Sequence, residues 1–93
     1  MLYVVKVSKQ AEKELRKLPR HIIEALMLWV HDVETSGLEI VRKIPGYHDE
    51  PLKGDRKGQR SIKLNRSYRA IYVVNSDGTI DFVEVKEVNK HKY

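Results

Sequence analysis

Residues 60–88, RSIKLNRSYRAIYVVNSDGTIDFVEVKEV, decide the fold. Arg60 to Leu64 alternates, with Ile62 and Leu64 on one face, which is the period of a half-buried strand. Asn65-Arg66-Ser67 reads as a turn. Tyr68 to Val74 is the most strongly strand-forming stretch of the chain and is apolar on both faces, so it belongs in the middle of a sheet. Asn75-Ser76-Asp77-Gly78 reads as a hairpin turn. A last strand follows over Thr79 to Val88, with Ile80, Phe82, Val83 and Val85 as its main apolar members. Connections this short make the three strands antiparallel neighbours.

Upstream, Leu38 to Gln59 is irregular, and Pro45, Gly46, Pro51, Gly54 and Gly58 mark turns in it. Before it lie two helical patterns. Ala11, Leu15 and Leu18 recur on one face behind Ser8, a good helix cap, and Pro19 ends that helix. From about Arg20 to Thr35, Ile22, Leu26, Trp29 and Val33 form one apolar stripe, with Ile23, Met27 and Val30 beside it. Gly37 is the expected stop. Leu2 to Val7, rich in β-branched residues, predicts an N-terminal strand. The expected fold class is α+β: a single two-layer domain over residues 1–93. In it an N-terminal strand and a two-helix hairpin pack on one face of a four-stranded, mostly antiparallel sheet, and the other face stays open.

The length of 93 residues leaves room for one domain, and the absence of cysteine excludes disulfides, thiolate metal sites and cysteine nucleophiles. The longest purely apolar run, Ala25 to Val30, is far too short to span a membrane. No leader pattern stands at Met1 to Val7, so a soluble cytoplasmic protein is expected. The net charge of +5 is unevenly spread. Arg42 to Arg69 carries nine basic residues against Asp49, Glu50 and Asp55, a net +6, while the rest of the chain sums to −1. A basic patch gathered in one segment is the footprint of a polyanion binder, although a solvated basic face has the same composition.

Walker, GxGxxG, HExxH and GxSxG signatures are absent, and His21, His31, His48 and His91 lack metal-ligand spacing. No metal or cofactor is expected. What remains is a set of cations, Lys53, Arg60, Arg66 and Arg69, with His91 and Tyr93 near the end of the chain. Placed on one surface, they suit metal-free RNA cleavage. A base deprotonates the 2′-hydroxyl, cations stabilise the phosphorane, and an acid protonates the leaving 5′-oxygen. Histidine suits either proton role, and tyrosine or lysine serves if neighbouring cations lower its pKa. Singly, each residue has an ordinary structural reading. Arg60 and Arg69 can pair with Glu84 or Asp81, and Tyr68 and Tyr72 can pack in the core rather than stack bases.

The stretch Pro51-Leu52-Lys53-Gly54, then Arg60-Ser61-Ile62-Lys63-Leu64, then Tyr68-Arg69-Ala70-Ile71-Tyr72, resembles the RelE/ParE superfamily of bacterial toxins. The first helical segment, Ala11 to Pro19, and the tail Val88-Asn89-Lys90-His91-Lys92-Tyr93 are similar to RelE-like and HigB-like members as well. The resemblance implies the toxin of a type II toxin–antitoxin system, an endoribonuclease that cuts mRNA on the ribosome. It also implies a cognate antitoxin that covers the active surface. Carried over by position, Lys53, Arg60, His91 and Tyr93 are the catalytic candidates. Arg66, Arg69, Arg56, Lys57 and Lys90 are the RNA- and phosphate-binding candidates. One departure stands out: RelE has an arginine near the end of its last strand where this chain has Glu87, with Lys86 and Lys90 nearby as substitutes. Two other functions fit the same fold and charge, a ParE-like inhibitor of DNA gyrase and a non-catalytic RNA-binding module.

Overall fold

The computed structural model describes residues 2–90. The elements run β1 (Val5–Val7), α1 (Lys9–Leu15), α2 (Arg20–Ser36), α3 (Leu38–Val41), β2 (Glu50–Pro51), β3 (Arg60–Lys63), β4 (Tyr68–Ser76) and β5 (Asp81–Lys90). Single 3₁₀ turns lie at Pro45–Tyr47 and Gly54–Arg56. The α+β class and the helix-covered sheet are as the sequence predicts. The sheet, however, has five strands, in the order β1-β5-β4-β3-β2. The extra strand is β2, whose two residues pair antiparallel with Ser61 and Arg60. It carries no apolar period, and the neighbouring strand alone defines it. A third helix, α3, fills part of the segment expected to be irregular.

β4 lies at the centre, as its two-sided apolar pattern requires. β1 pairs parallel with β5, Val5 opposite Val83 and Val7 opposite Val85. The long connection between them, through the helices and then β2, β3 and β4, gives the reach that a parallel pair needs. Several boundaries move: β1 is shorter than the expected Leu2–Val7, α1 ends at Leu15 ahead of Pro19, and β5 spans Asp81–Lys90 rather than Thr79–Val88. β4 runs on to Ser76, and the turn sits at Asp77–Ile80, where Asp77 Oδ1 accepts from the backbone N–H of Thr79 and Ile80. Those two bonds, Ile80's the larger, hold the exposed Asp77 carboxyl below its ordinary range.

The core lies between helices and sheet. Ile22, Leu26, Trp29 and Val33 from α2 meet Ile62, Ala70, Tyr72, Val83, Val85 and Val88, all essentially excluded from solvent. The Trp29 and Tyr72 rings pack in a tilted arrangement, centroids 5.2 Å apart. Tyr72 is thus a core residue, and Tyr68 packs against the same core. Among the described residues no helix is long and apolar enough to cross a membrane.

β5 does not alternate strictly. Opposite β4, Ile71 pairs with Glu87 but the next residue, Tyr72, pairs with Val85, so Lys86 is an inserted residue. This bulge flips the parity of everything after it. Val83 and Val85 face the helices before it and Val88 after it, while Glu87 and Asn89 turn to the open face. The segment around α1 satisfies the backbone groups that the bulge strands. Ser8 Oγ donates to the Lys86 carbonyl at 3.0 Å, and Glu14 Oε1 accepts from the Val88 N–H at 2.9 Å. Ser8 also caps α1 by accepting from the Ala11 N–H at 3.0 Å.

Trp29 fills the centre of the core, yet its indole N–H meets no acceptor among the described residues. Trp29→Ala is expected to cost about 3–5 kcal/mol, the usual range for emptying a large buried ring. Trp29→Phe should cost clearly less, because it removes the unpaired donor along with part of the ring. Urea unfolding of the three proteins checks the order; equal losses would show that the indole N–H has a partner.

Candidate functional site

The helix-free face of the sheet carries a groove of about 490 Å³. Ser61 comes from β3, Arg69 and Ile71 from β4, and Asn89 from β5, with Lys90 at the margin. Glu50, Leu52 and Arg56 close one side. Ile71 is buried on the groove floor although it faces away from the helices.

Arg69 is held by three oxygens. Its Nε donates to Ser61 Oγ, and its Nη2 donates to the His48 carbonyl at 3.1 Å and to Glu50 Oε1 at 3.5 Å. The short distances are to uncharged oxygens, so Arg69 is oriented without being fully neutralised. His48 has a left-handed backbone, φ 46°, which turns its carbonyl toward that guanidinium. Outside glycine, Asn, Asp and His are the residues most often found in this conformation.

Arg56 reaches the groove from the loop over residues 52–59, which leaves and rejoins the sheet where the Leu52 N–H donates to the Gln59 carbonyl at 2.9 Å. Its guanidinium pairs with Glu87 on β5: Nη2 donates to Oε1 at 3.2 Å and Nη1 lies 3.0 Å from Oε2 while donating to Gln59 Oε1 at 3.0 Å. Asn89 Nδ2 donates to the same carboxylate at 3.0 Å. The bond to Glu87 and its charge raise the Arg56 pKa. Lys53, Lys57, Arg66 and Lys90 are exposed and form no ion pair among the described residues. Lys53 and Lys57 flank the 3₁₀ turn that carries Arg56, and Arg66 lies in the β3–β4 turn. Lys86, a proposed stand-in for the arginine that Glu87 replaces, is the bulge residue and pairs with Glu84 at 3.7 Å instead.

Arg60 does not join this set. It sits opposite Tyr72 on β4, on the helix-facing side, whereas Arg69 and Ser61 are on the open side. The expectation that Arg60 and Arg69 share one surface is therefore corrected by strand parity. Their expected partners, Glu84 and Asp81, are corrected too. Arg60 Nε donates to Asp49 Oδ1 at 2.6 Å, and the Tyr72 hydroxyl donates to Asp49 Oδ2. The Asp49 side chain is 1% exposed. Burial works against the charge on Arg60, but the Asp49 bond and its charge outweigh it, and the Arg60 pKa is raised. Burial first, then the bond to Asp49, holds the Tyr72 phenol well above its ordinary range.

His91 and Tyr93 lie outside the described residues. Among the described residues no three His, Asp or Glu side chains converge to hold a metal ion. Sequence reading missed Ser61, Glu50, Glu87 and Asn89 as groove residues and Asp49 as a buried anchor. One signal was available: Val83, Val85 and Val88 break a period of two, which marks the bulge that brings Glu87 and Asn89 to the open face.

Comparison with known proteins bears on the fold. No protein-family model matches the sequence, and no curated protein matches it. Solved structures do match over almost the whole chain. The toxin–antitoxin complex RelBE2 from Mycobacterium tuberculosis matches with a TM-score of 0.69 at 23% identity, covering 98% of this chain and 100% of that one. YafQ from E. coli strain BL21(DE3) matches with a TM-score of 0.72 at 17% identity, over 94% of this chain and 91% of its own. The YoeB–YefM complex from Staphylococcus aureus matches with a TM-score of 0.68 at 17% identity, over 99% of each chain. This chain thus has the fold of the RelE, YoeB and YafQ toxin structures, the fold that the sequence resemblance implies.

Removing Asp49 leaves Arg60 unpaired and the Tyr72 hydroxyl without its acceptor. Asp49→Ala is expected to cost about 3–5 kcal/mol, as for a broken buried ion pair, and Arg60→Ala a comparable amount because Asp49 stays buried. Chemical denaturation of both variants checks this, and a loss under ~1 kcal/mol in each would deny the anchor its role. The Tyr72 contribution has a pH signature. The folded pKa lies above the unfolded value, so the stabilisation is complete below about pH 10 and declines as the pH rises past it. Tyr72→Phe should flatten part of that alkaline decline; unchanged pH dependence of the urea midpoint would count against it.

Proposed function

We propose that this chain is the toxin of a type II toxin–antitoxin pair. In this reading it is a ribosome-dependent endoribonuclease that cuts mRNA by metal-independent attack of a 2′-hydroxyl on the adjacent phosphodiester. The observation that carries the reading is the meeting of Arg56 and Arg69 at one groove on the open face of a toxin-like fold, with Lys90 at its margin. A guanidinium already oriented by fixed oxygens, as Arg69 is, stabilises developing phosphorane charge without reorganising. Lys53, Lys57 and Arg66 add exposed positive charge that attracts the RNA backbone. His91 and Tyr93 follow Lys90 directly in sequence and are the acid/base candidates, with Lys53 at the phosphate. Arg60 contributes from the helix side, fixing through Asp49 the segment that supplies His48 and Glu50. RelBE2 and YoeB–YefM are complexes of toxin with antitoxin, which supports a cognate antitoxin as the partner here. The ribosome, mRNA and a cytoplasmic site of action complete the reading.

The test is primer extension on mRNA from cells induced to make this protein, beside His91→Ala and Arg69→Lys. Cuts inside translated codons are expected, reduced about 10²-fold or more in His91→Ala if that side chain moves a proton. Growth arrest with intact mRNA would replace the nuclease by gyrase inhibition. Neither arrest nor cuts would leave an RNA-binding module.

A further inference from the structure

The groove holds a contact that its proposed use does not explain. Arg56 is the groove cation that extends from a loop rather than from a strand, and it is already occupied by a carboxylate. Arg56 Nη2 donates to Glu87 Oε1 at 3.2 Å and its Nη1 lies 3.0 Å from Oε2, across 31 residues of chain, while Nη1 also donates to Gln59 Oε1 within the loop. A carboxylate gripped by a guanidinium fork presents the same pair of acceptor oxygens that a phosphodiester presents. Among the described residues this pair is the polar tie between the loop over residues 52–59 and β5. The loop turns at two glycines, Gly54 and Gly58, with φ of 65° and 96°, and a side chain added at either would meet nothing within 4 Å, so it stands clear of the rest of the molecule there. Asn89 steadies the Glu87 carboxylate by donating at 3.0 Å, so the acidic half of the pair is the fixed half. Glu87 is 26% exposed and Arg56 46%, so solvent and ligand reach the pair from the loop side.

We propose that the Arg56–Glu87 pair is a clasp. Glu87 holds the place of an RNA phosphate on Arg56, and a bound strand displaces it, freeing the loop to close on the RNA with Arg56 attached. The proposal rests on the groove being an RNA site and adds that Glu87 sets how tightly RNA binds there. An ion pair of this exposure is weak enough to be exchanged by a phosphate of equal or greater charge density. The exchange conserves charge pairing. Arg56 keeps one anionic partner, and Glu87 keeps Asn89 and gains water. By contrast, Arg69 is held at short distance only by Ser61 and a backbone carbonyl, so it needs no release before it meets phosphate.

The test is the affinity of the purified full chain for a fluorescently labelled, mixed-sequence single-stranded RNA, read by anisotropy at low salt. Wild type, Glu87→Gln, Arg56→Ala and the double variant are compared, with matched circular dichroism. Gln keeps an oxygen for Asn89 and loses the charge. The clasp predicts that Glu87→Gln binds about two- to fivefold tighter than wild type and that Arg56→Ala binds more weakly. It also predicts that the gain from Glu87→Gln disappears in the Arg56→Ala background, because the two act as one pair. Glu87→Gln binding no tighter than wild type would overturn the clasp while leaving the RNA site standing. So would a gain that persists undiminished without Arg56, since Glu87 would then act only as a general negative charge. No binding by any of the four proteins would overturn the RNA site and the clasp together.

Discussion

The inserted residue Lys86 is the constraint on which the open face depends. A strand that alternated strictly after Val83 and Val85 would turn Glu87 into the helix layer and leave Val88 in solvent. An unpaired carboxylate in that core would cost several kcal/mol, so the alternating register is excluded on energy alone. The bulge resolves the conflict, and it needs outside support because it breaks the ladder. Ser8 and Glu14 give that support by bonding the Lys86 carbonyl and the Val88 N–H. The segment around α1 therefore does two jobs. Its apolar residues cover the sheet, and two polar side chains stabilise the register that delivers Glu87 and Asn89 to the groove.

A second constraint acts from the opposite edge. Asp49 is buried and takes both Arg60 and Tyr72, which ties the segment ahead of β2 to the centre of the core. Tyr72 in turn packs on Trp29 of α2. One carboxylate thus links the helix layer, the sheet and the irregular segment. The neighbours of Asp49, His48 and Glu50, face the other way and hold Arg69. The left-handed turn at His48 and the start of β2 at Glu50 set a stabilising residue directly between two residues that shape the groove.

The groove's cations are in different states, and the difference follows from their partners. Arg69 is oriented chiefly by neutral oxygens, Arg56 is neutralised by Glu87, and Lys90 is exposed. Such a surface is less positive than the composition of residues 42–69 suggests. Its capacity to bind a polyanion lies in how readily each cation exchanges its present partner.

Much of this protein was determined by local sequence. Tyr68 to Val74 could only be a central strand, because both of its faces are apolar. The stripe Ile22, Leu26, Trp29 and Val33 could only be a buried helix face. The family resemblance implied the fold that the solved structures share, though with one strand and one helix fewer, and among the residues it pointed to Arg56 and Arg69 border one groove. Other features were settled by tertiary structure. β2 has no pattern of its own and exists because β3 offers an edge. Arg60 and Arg69 are both basic strand residues, and pairing register alone puts one on each face. Asp49 is an acidic residue in a basic segment, with nothing local to mark it as a buried anchor. Periodicity reports which residues leave water, since burial acts on each side chain separately. The partner of a charge is fixed only when distant strands are brought within about 3 Å, and that distance belongs to the whole fold.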